Sequence, residues 1–138
     1  MKKIFLILLL FTISLNAKMV KEYYDNGALK NLKQYQNGKL EGISEVYSED
    51  GKIKSRSSFK NGVLDGQRVF YYDNGRVKKR ENFKNGKRDG TCKRYYANGN
   101  IQIINSYRDG KKDGLFKKIY ENGKLYQEVI FKNDKVVN

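Results

Sequence analysis

A fixed interval of 24 residues between glycines constrains this chain more than any other feature. Gly27, Gly51, Gly75, Gly99 and Gly123 form one column. Gly38, Gly62, Gly86 and Gly110 form a second, with Asp134 in the next slot, and Gly42, Gly66, Gly90 and Gly114 form a third. Aromatics keep the same interval: Tyr35, Phe59, Phe83, Tyr107 and Phe131, then Tyr23, Tyr47, Tyr71 and Tyr95. A period of this size means stacked copies of one supersecondary unit, each needing its neighbours to cover its apolar face.

Within one copy the unit reads as strand, turn, strand, turn. Ile101, Ile103 and Tyr107 share one side of a period-two pattern, bounded by Asn98-Gly99 and Asp109-Gly110. Asn-Gly and Asp-Gly are strong hairpin signals because tight turns need positive φ at adjacent residues. With no proline anywhere and Tyr, Phe, Val and Ile at the apolar positions, the units read as strands. The expected fold is all-β: an elongated antiparallel meander of stacked hairpins, nine or ten strands of roughly six residues. The aromatic columns, and a further one of Leu29, Ile53, Val77, Ile101 and Leu125, are expected to form ladders in its core. Lys132 and Lys135 are suited to blunting one of the two open sheet edges.

The N-terminus is a separate segment. Lys2 and Lys3 precede an apolar run from Ile4 to Phe11, and the stretch closes at Asn16-Ala17. This is the order of a secretory signal peptide, residues 1–17, with cleavage expected after Ala17 and a repeat domain over 18–138. Removing it takes two lysines and lowers the formal charge from +14 to +12. The remaining excess favours anionic partners. Cys92 is the only cysteine, so no intramolecular disulfide staples the fold; its column holds Ser44, Arg68 and Phe116, as at a tolerant position.

The unit Tyr71-Tyr72-Asp73-Asn74-Gly75-Arg76-Val77, followed by Phe83-Lys84-Asn85-Gly86-Lys87-Arg88-Asp89-Gly90, resembles the bacterial variant of the MORN repeat. Its form is similar to that of YwqK-type antitoxins of toxin–antitoxin systems. The resemblance covers roughly residues 21 to 138 and implies an elongated sheet of hairpins serving as a binding or scaffolding surface, with lipid binding proposed for MORN repeats generally. The second copy departs from it, reading Tyr47-Ser48-Glu49-Asp50-Gly51. Neutralising a cytosolic toxin is also incompatible with an export leader, so the antitoxin reading needs residues 1–17 retained.

Catalysis is not expected. Without histidine and with one cysteine, His-based acid–base chemistry and the usual zinc sites are excluded. Glu41, Asp65, Asp89 and Asp113 each precede a turn glycine, as turn-forming residues would. No cofactor or metal is implied. The charge pattern points instead to binding: Lys78, Lys79 and Arg80 lie on one strand, Lys93 and Arg94 on its neighbour, and Lys117 and Lys118 one hairpin later. Like charges on adjacent strands are unfavourable, which suggests an anion-facing patch, with Tyr72 and Tyr96 adding stacking or hydrogen bonds. The reading is a non-catalytic module that is periplasmic, at the cell surface or secreted. Its expected partner is a protein, with an anionic envelope component, phospholipid headgroups or a second copy also compatible. Specific nucleic-acid binding is not expected, because no recognised motif accompanies the charge. The alternative is an antitoxin-like regulator binding a toxin protein in the cytoplasm.

Overall fold

The computed structural model describes residues 16–137, so all but the last two residues of the expected leader lie outside the described residues. The described chain is one antiparallel sheet without a helix. Its strands are β1 (Ala17–Tyr23), β2 (Leu29–Gln36), β3 (Lys39–Leu40), β4 (Gly42–Tyr47), β5 (Ile53–Lys60), β6 (Val63–Tyr71), β7 (Val77–Lys84), β8 (Lys87–Arg88), β9 (Gly90–Tyr95), β10 (Ile101–Arg108), β11 (Lys111–Ile119), β12 (Leu125–Lys132) and β13 (Lys135–Val137). Eleven of them follow one another across the sheet in chain order, and the short β3 and β8 lie beside β2 and β7. The count exceeds the nine or ten expected because β3 and β8 are short opening pieces of strands that β4 and β9 continue, and because the three-residue β13 also pairs.

Two turn chemistries alternate. At Asn37-Gly38, Asn61-Gly62, Asn85-Gly86, Asp109-Gly110 and Asn133-Asp134 both residues have positive φ, near 50° at the first four leading positions, as two-residue type I′ hairpins require. At Asn26-Gly27 and its four equivalents only the glycine does. There Gly27 N–H donates to the Tyr24 carbonyl and Tyr24 N–H to that of Ala28, both at 2.9 Å. This is a wider loop of type I turn plus left-handed glycine, and it shifts the strand register at its base. The Asn-Gly signal alone does not separate the two.

The third glycine column turns nothing; it lies inside strands. Gly42, Gly66, Gly90 and Gly114 stand directly opposite Phe59, Phe83, Tyr107 and Phe131. Each glycine leaves room beside an aromatic of the next strand, and the register slips close by, as at β-bulges.

Neighbouring repeats are fastened by recurring hydrogen bonds. The hydroxyls of Tyr24, Tyr72 and Tyr96 donate to the carbonyls of Tyr47, Tyr95 and Ile119 at 2.8, 2.7 and 2.9 Å. The acidic column ties the start of each unit to its end: Glu41, Asp65 and Asp89 accept from the backbone N–H of Asn61, Asn85 and Asp109 at the next tight turn. These carboxylates therefore supply acceptors to N–H groups that the tight turns leave without a ladder partner. In the second repeat the tyrosine is replaced by Ser48, whose hydroxyl stays within its own turn, where Asp50 and the Lys52 carbonyl are its acceptors. Ser48→Tyr is expected to add the missing bond to the Tyr71 carbonyl and raise stability by about 1 kcal/mol. A thermal midpoint no higher than wild type would show that these bonds stabilise nothing.

The sheet is a single layer, and that corrects the expectation of an aromatic core. Among the described hydrophobic residues only Val69 and Cys92 are buried. The Tyr35-to-Phe131 and Tyr47-to-Tyr95 ladders are half-buried stripes, because among the described residues no second layer packs over either face. The other two buried residues are Glu45 and Glu81.

Candidate binding surface

Directly paired strand residues share a face, and consecutive residues alternate between faces. Val69, Arg80, Lys93, Ile104 and Lys117 are successive partners across β6, β7, β9, β10 and β11. Phe70, Lys79, Arg94, Ile103 and Lys118 form the adjacent row on the other face. The register thus divides the cations singled out in the sequence: Lys79, Arg94 and Lys118 on one face, Arg80, Lys93 and Lys117 on the other.

The first face holds an open groove of about 920 Å³. Its floor is aromatic, from Phe70, Tyr71 and Tyr72, and its walls carry Lys54, Lys78, Lys79 and Arg94. Asp73 is the one carboxylate among its lining residues, so four cations face one anion. Lys54 is paired with that aspartate. Lys79 Nζ lies 2.7 Å from Glu81 Oε1. Lys78 Nζ sits 5.5 Å over the Tyr72 ring, a cation–π contact, and Arg94 has no ion pair among the described residues. Lys78 and Arg94 are therefore the uncompensated charges of the groove. Tyr72 contributes its ring alone, since its hydroxyl is committed to Tyr95. The hydroxyl of Tyr96 is likewise held by Ile119.

Glu81, 3% exposed, anchors the groove from beneath. Its Oε1 receives Lys79 and the Arg88 guanidinium, the latter at 2.9 and 3.0 Å. Burial pushes its carboxyl up, but Lys79 and Arg88 together outweigh this and hold it below the usual range. A smaller cavity of about 230 Å³ lies beside it, lined by Cys92 and Tyr107 among others. Burial raises the Cys92 thiol and the Tyr107 phenol. Cys92 thus stays a protonated thiol at neutral pH, the unreactive state of a structural cysteine.

On the opposite face, Arg80 Nε is buried without a hydrogen-bond partner among the described residues; its strand partners Val69 and Lys93 offer no side-chain acceptor. Lys117 pairs with Glu128 at 2.9 Å. On the groove face Lys118 lies 4.5 Å over the Tyr126 ring, away from the groove. Sequence reasoning missed Lys54, which occupies the same repeat column as Lys78. Reading the column instead of the charge run would have found it. Among the described residues no three acidic or cysteine side chains are placed to hold a metal ion.

The family model described as MORN repeat variant matches the chain over residues 19–37, 40–61, 64–85, 88–109 and 112–133. The match is to the repeat and does not extend to the resemblance to YwqK-type antitoxins. No curated protein matches the chain.

Proposed function

The chain belongs to the MORN repeat variant family, whose repeats are generally protein- or membrane-binding modules, and from that membership we propose that it is an exported, non-catalytic binding module for an acidic partner protein in the cell envelope. The observation that carries the reading is the groove, with four cations, one carboxylate and an aromatic floor. A groove of that lining suits an extended segment bearing carboxylates and apolar side chains, since charge steers the encounter and aromatic contact area holds it. The apolar run behind Lys2 and Lys3 supports export.

A labelled peptide alternating Glu with Tyr is expected to bind the protein, with affinity falling as salt rises. Changing Lys78 and Arg94 together to Glu should weaken it about tenfold, and the charge-matched change of Lys93 and Lys117 together to Glu on the opposite face less than about twofold. Equal losses from both variants would mean that net charge alone attracts the peptide, and the groove would lose its role. Export is read separately, from the N-terminal residue of the protein in fractionated cells: Lys18 in the envelope supports it, and Met1 in the cytosol removes it.

A further inference from the structure

The two edges of the sheet are halves of one strand. In the interior a single strand such as β6 or β11 runs from a type I′ hairpin past the in-strand glycine to the wider turn. At one edge β13 supplies only its opening residues and ends its pairing at Ile130↔Val137. Among the described residues, 125–129 of β12 are thereby left with an unpaired edge. At the other edge β1 corresponds in repeat phase to the remainder of such a strand, and only one of its sides is paired, to β2.

We infer that β1 of a second copy docks on residues 125–129 of the first, head to tail. This inference does not depend on the groove. The interior register fixes which residues meet. Ile103, Ile104 and Asn105 oppose Lys118, Lys117 and Phe116; one repeat later, Gln127, Glu128 and Val129 oppose the positions that Glu22, Lys21 and Val20 of the next copy occupy. Val129 then meets Val20, and the Glu128 carboxylate meets the Lys21 ammonium, both favourable cross-strand pairs.

The inter-repeat hydrogen bonds are also left unfinished in matching places. Tyr120 holds the column of Tyr24, Tyr72 and Tyr96, and its hydroxyl has no partner among the described residues. In the assembly its acceptor is the Tyr23 carbonyl of the next copy, the equivalent of Tyr47, Tyr95 and Ile119. Asn122 stands likewise to Asp25 as Asn26 does to Glu49 and Asn74 to Ala97. Apolar exposure is concentrated at the same edges. Eight of the ten exposed large hydrophobic residues among those described lie in the first strand or from Tyr120 onward, Tyr23, Leu125 and Tyr126 among them, each more than half exposed. The expected lysine blunting is partial, since Lys132 turns inward to Asp113 at 3.2 Å.

Such a contact is heterologous, so copies add in a line instead of closing as a dimer, each extending the sheet by ten strand spacings or about 48 Å. At the seam Val137 of one copy holds the repeat position just before that of Lys18 in the next, and Asn138 shares its position with Lys18, so a single position is doubled there. The inference rests on the export reading only for the removal of residues 1–17.

The test is sedimentation velocity over a concentration series, on protein expressed with its own leader and identified by N-terminal mass. Species larger than a dimer are expected, growing with concentration. Lys21→Glu and Glu128→Lys should each weaken association about tenfold, as an attractive cross-strand pair becomes a repulsive one. Mixing the two variants should restore it, because each altered edge then meets its complement. Glu128 also pairs with Lys117 inside the chain, so Tyr120→Phe, which removes a hydroxyl without a partner among the described residues, serves as the variant that keeps the test independent of folding. It should leave thermal stability unchanged and weaken association about threefold. A monomer beginning at Lys18, or a mixture no better associated than its components, overturns the assembly. A chain beginning at Met1 overturns the export reading and the seam with it.

Discussion

Gly66→Ala is expected to destabilise the protein by about 3 kcal/mol, the sum of a left-handed backbone penalty and local overpacking. Gly66 has a φ of +100°, and a Cβ built on it would lie 3.1 Å from Ser58 Cβ and 3.4 Å from its Oγ. Neither neighbour is the tip of a long side chain that could swing aside, and Phe83 stands opposite on β7. Gly75 provides the contrast: its φ is +80°, yet nothing lies within 4 Å of the added atom. Gly75→Asn should cost less than about 1 kcal/mol, because asparagine visits this region with little penalty. Denaturant unfolding of the two variants beside wild type decides the matter. Equal losses would mean that turn conformation alone is costly and that the in-strand glycines make no packing contribution.

The second large effect is acid unfolding. Hydrogen bonding by Tyr47 holds the Glu45 carboxyl below its usual value despite partial burial, with Arg56 adding to it. For Glu81 burial is the largest influence and acts upward, but Lys79 and Arg88 prevail; at Asp113 burial is likewise overcome by Lys132 and Arg108. Lys52 and Ser48 take Asp50 down to about 2. A carboxyl whose folded pKa lies below its unfolded one contributes stability above the unfolded value, and that stability is lost as pH falls through the folded value. The sheet should therefore be stable above about pH 5 and lose stability steeply between the reference value of 4.5 and about 2. Protonating the 15 acids also leaves 29 cations unopposed, which adds self-repulsion in the same window. Circular dichroism against pH reads the transition. Glu81→Gln should lower stability at neutral pH and flatten the acid limb, and an unaltered profile would show that the buried ion cluster does not drive it.

The repeat, the strand class and the nine Asn-Gly and Asp-Gly turns were legible because glycine at positive φ is a local requirement that sequence expresses directly. Facing was not. Whether Lys79 sides with Arg94 or with Lys93 depends on register slips near the wider turns and the in-strand glycines, and a one-residue slip exchanges the faces. The acidic column looked like chemistry of its own turn. In fact Asp65 serves the turn at Asn85, 20 residues on at the far end of the same matched repeat. The most buried side chain named here, Glu81, was invisible for a related reason: an acid in a lysine-rich strand reads as surface until Lys79 and Arg88 are seen converging on it.

The fastenings between repeats have one more consequence. Each reaches a fixed 20 to 23 residues forward, so no repeat depends on anything beyond its immediate neighbours. The molecule is therefore a ruler graduated at about 10 Å per repeat. Duplicating or deleting one 24-residue unit in the gene changes how far apart its ends are held and leaves every remaining division unaltered.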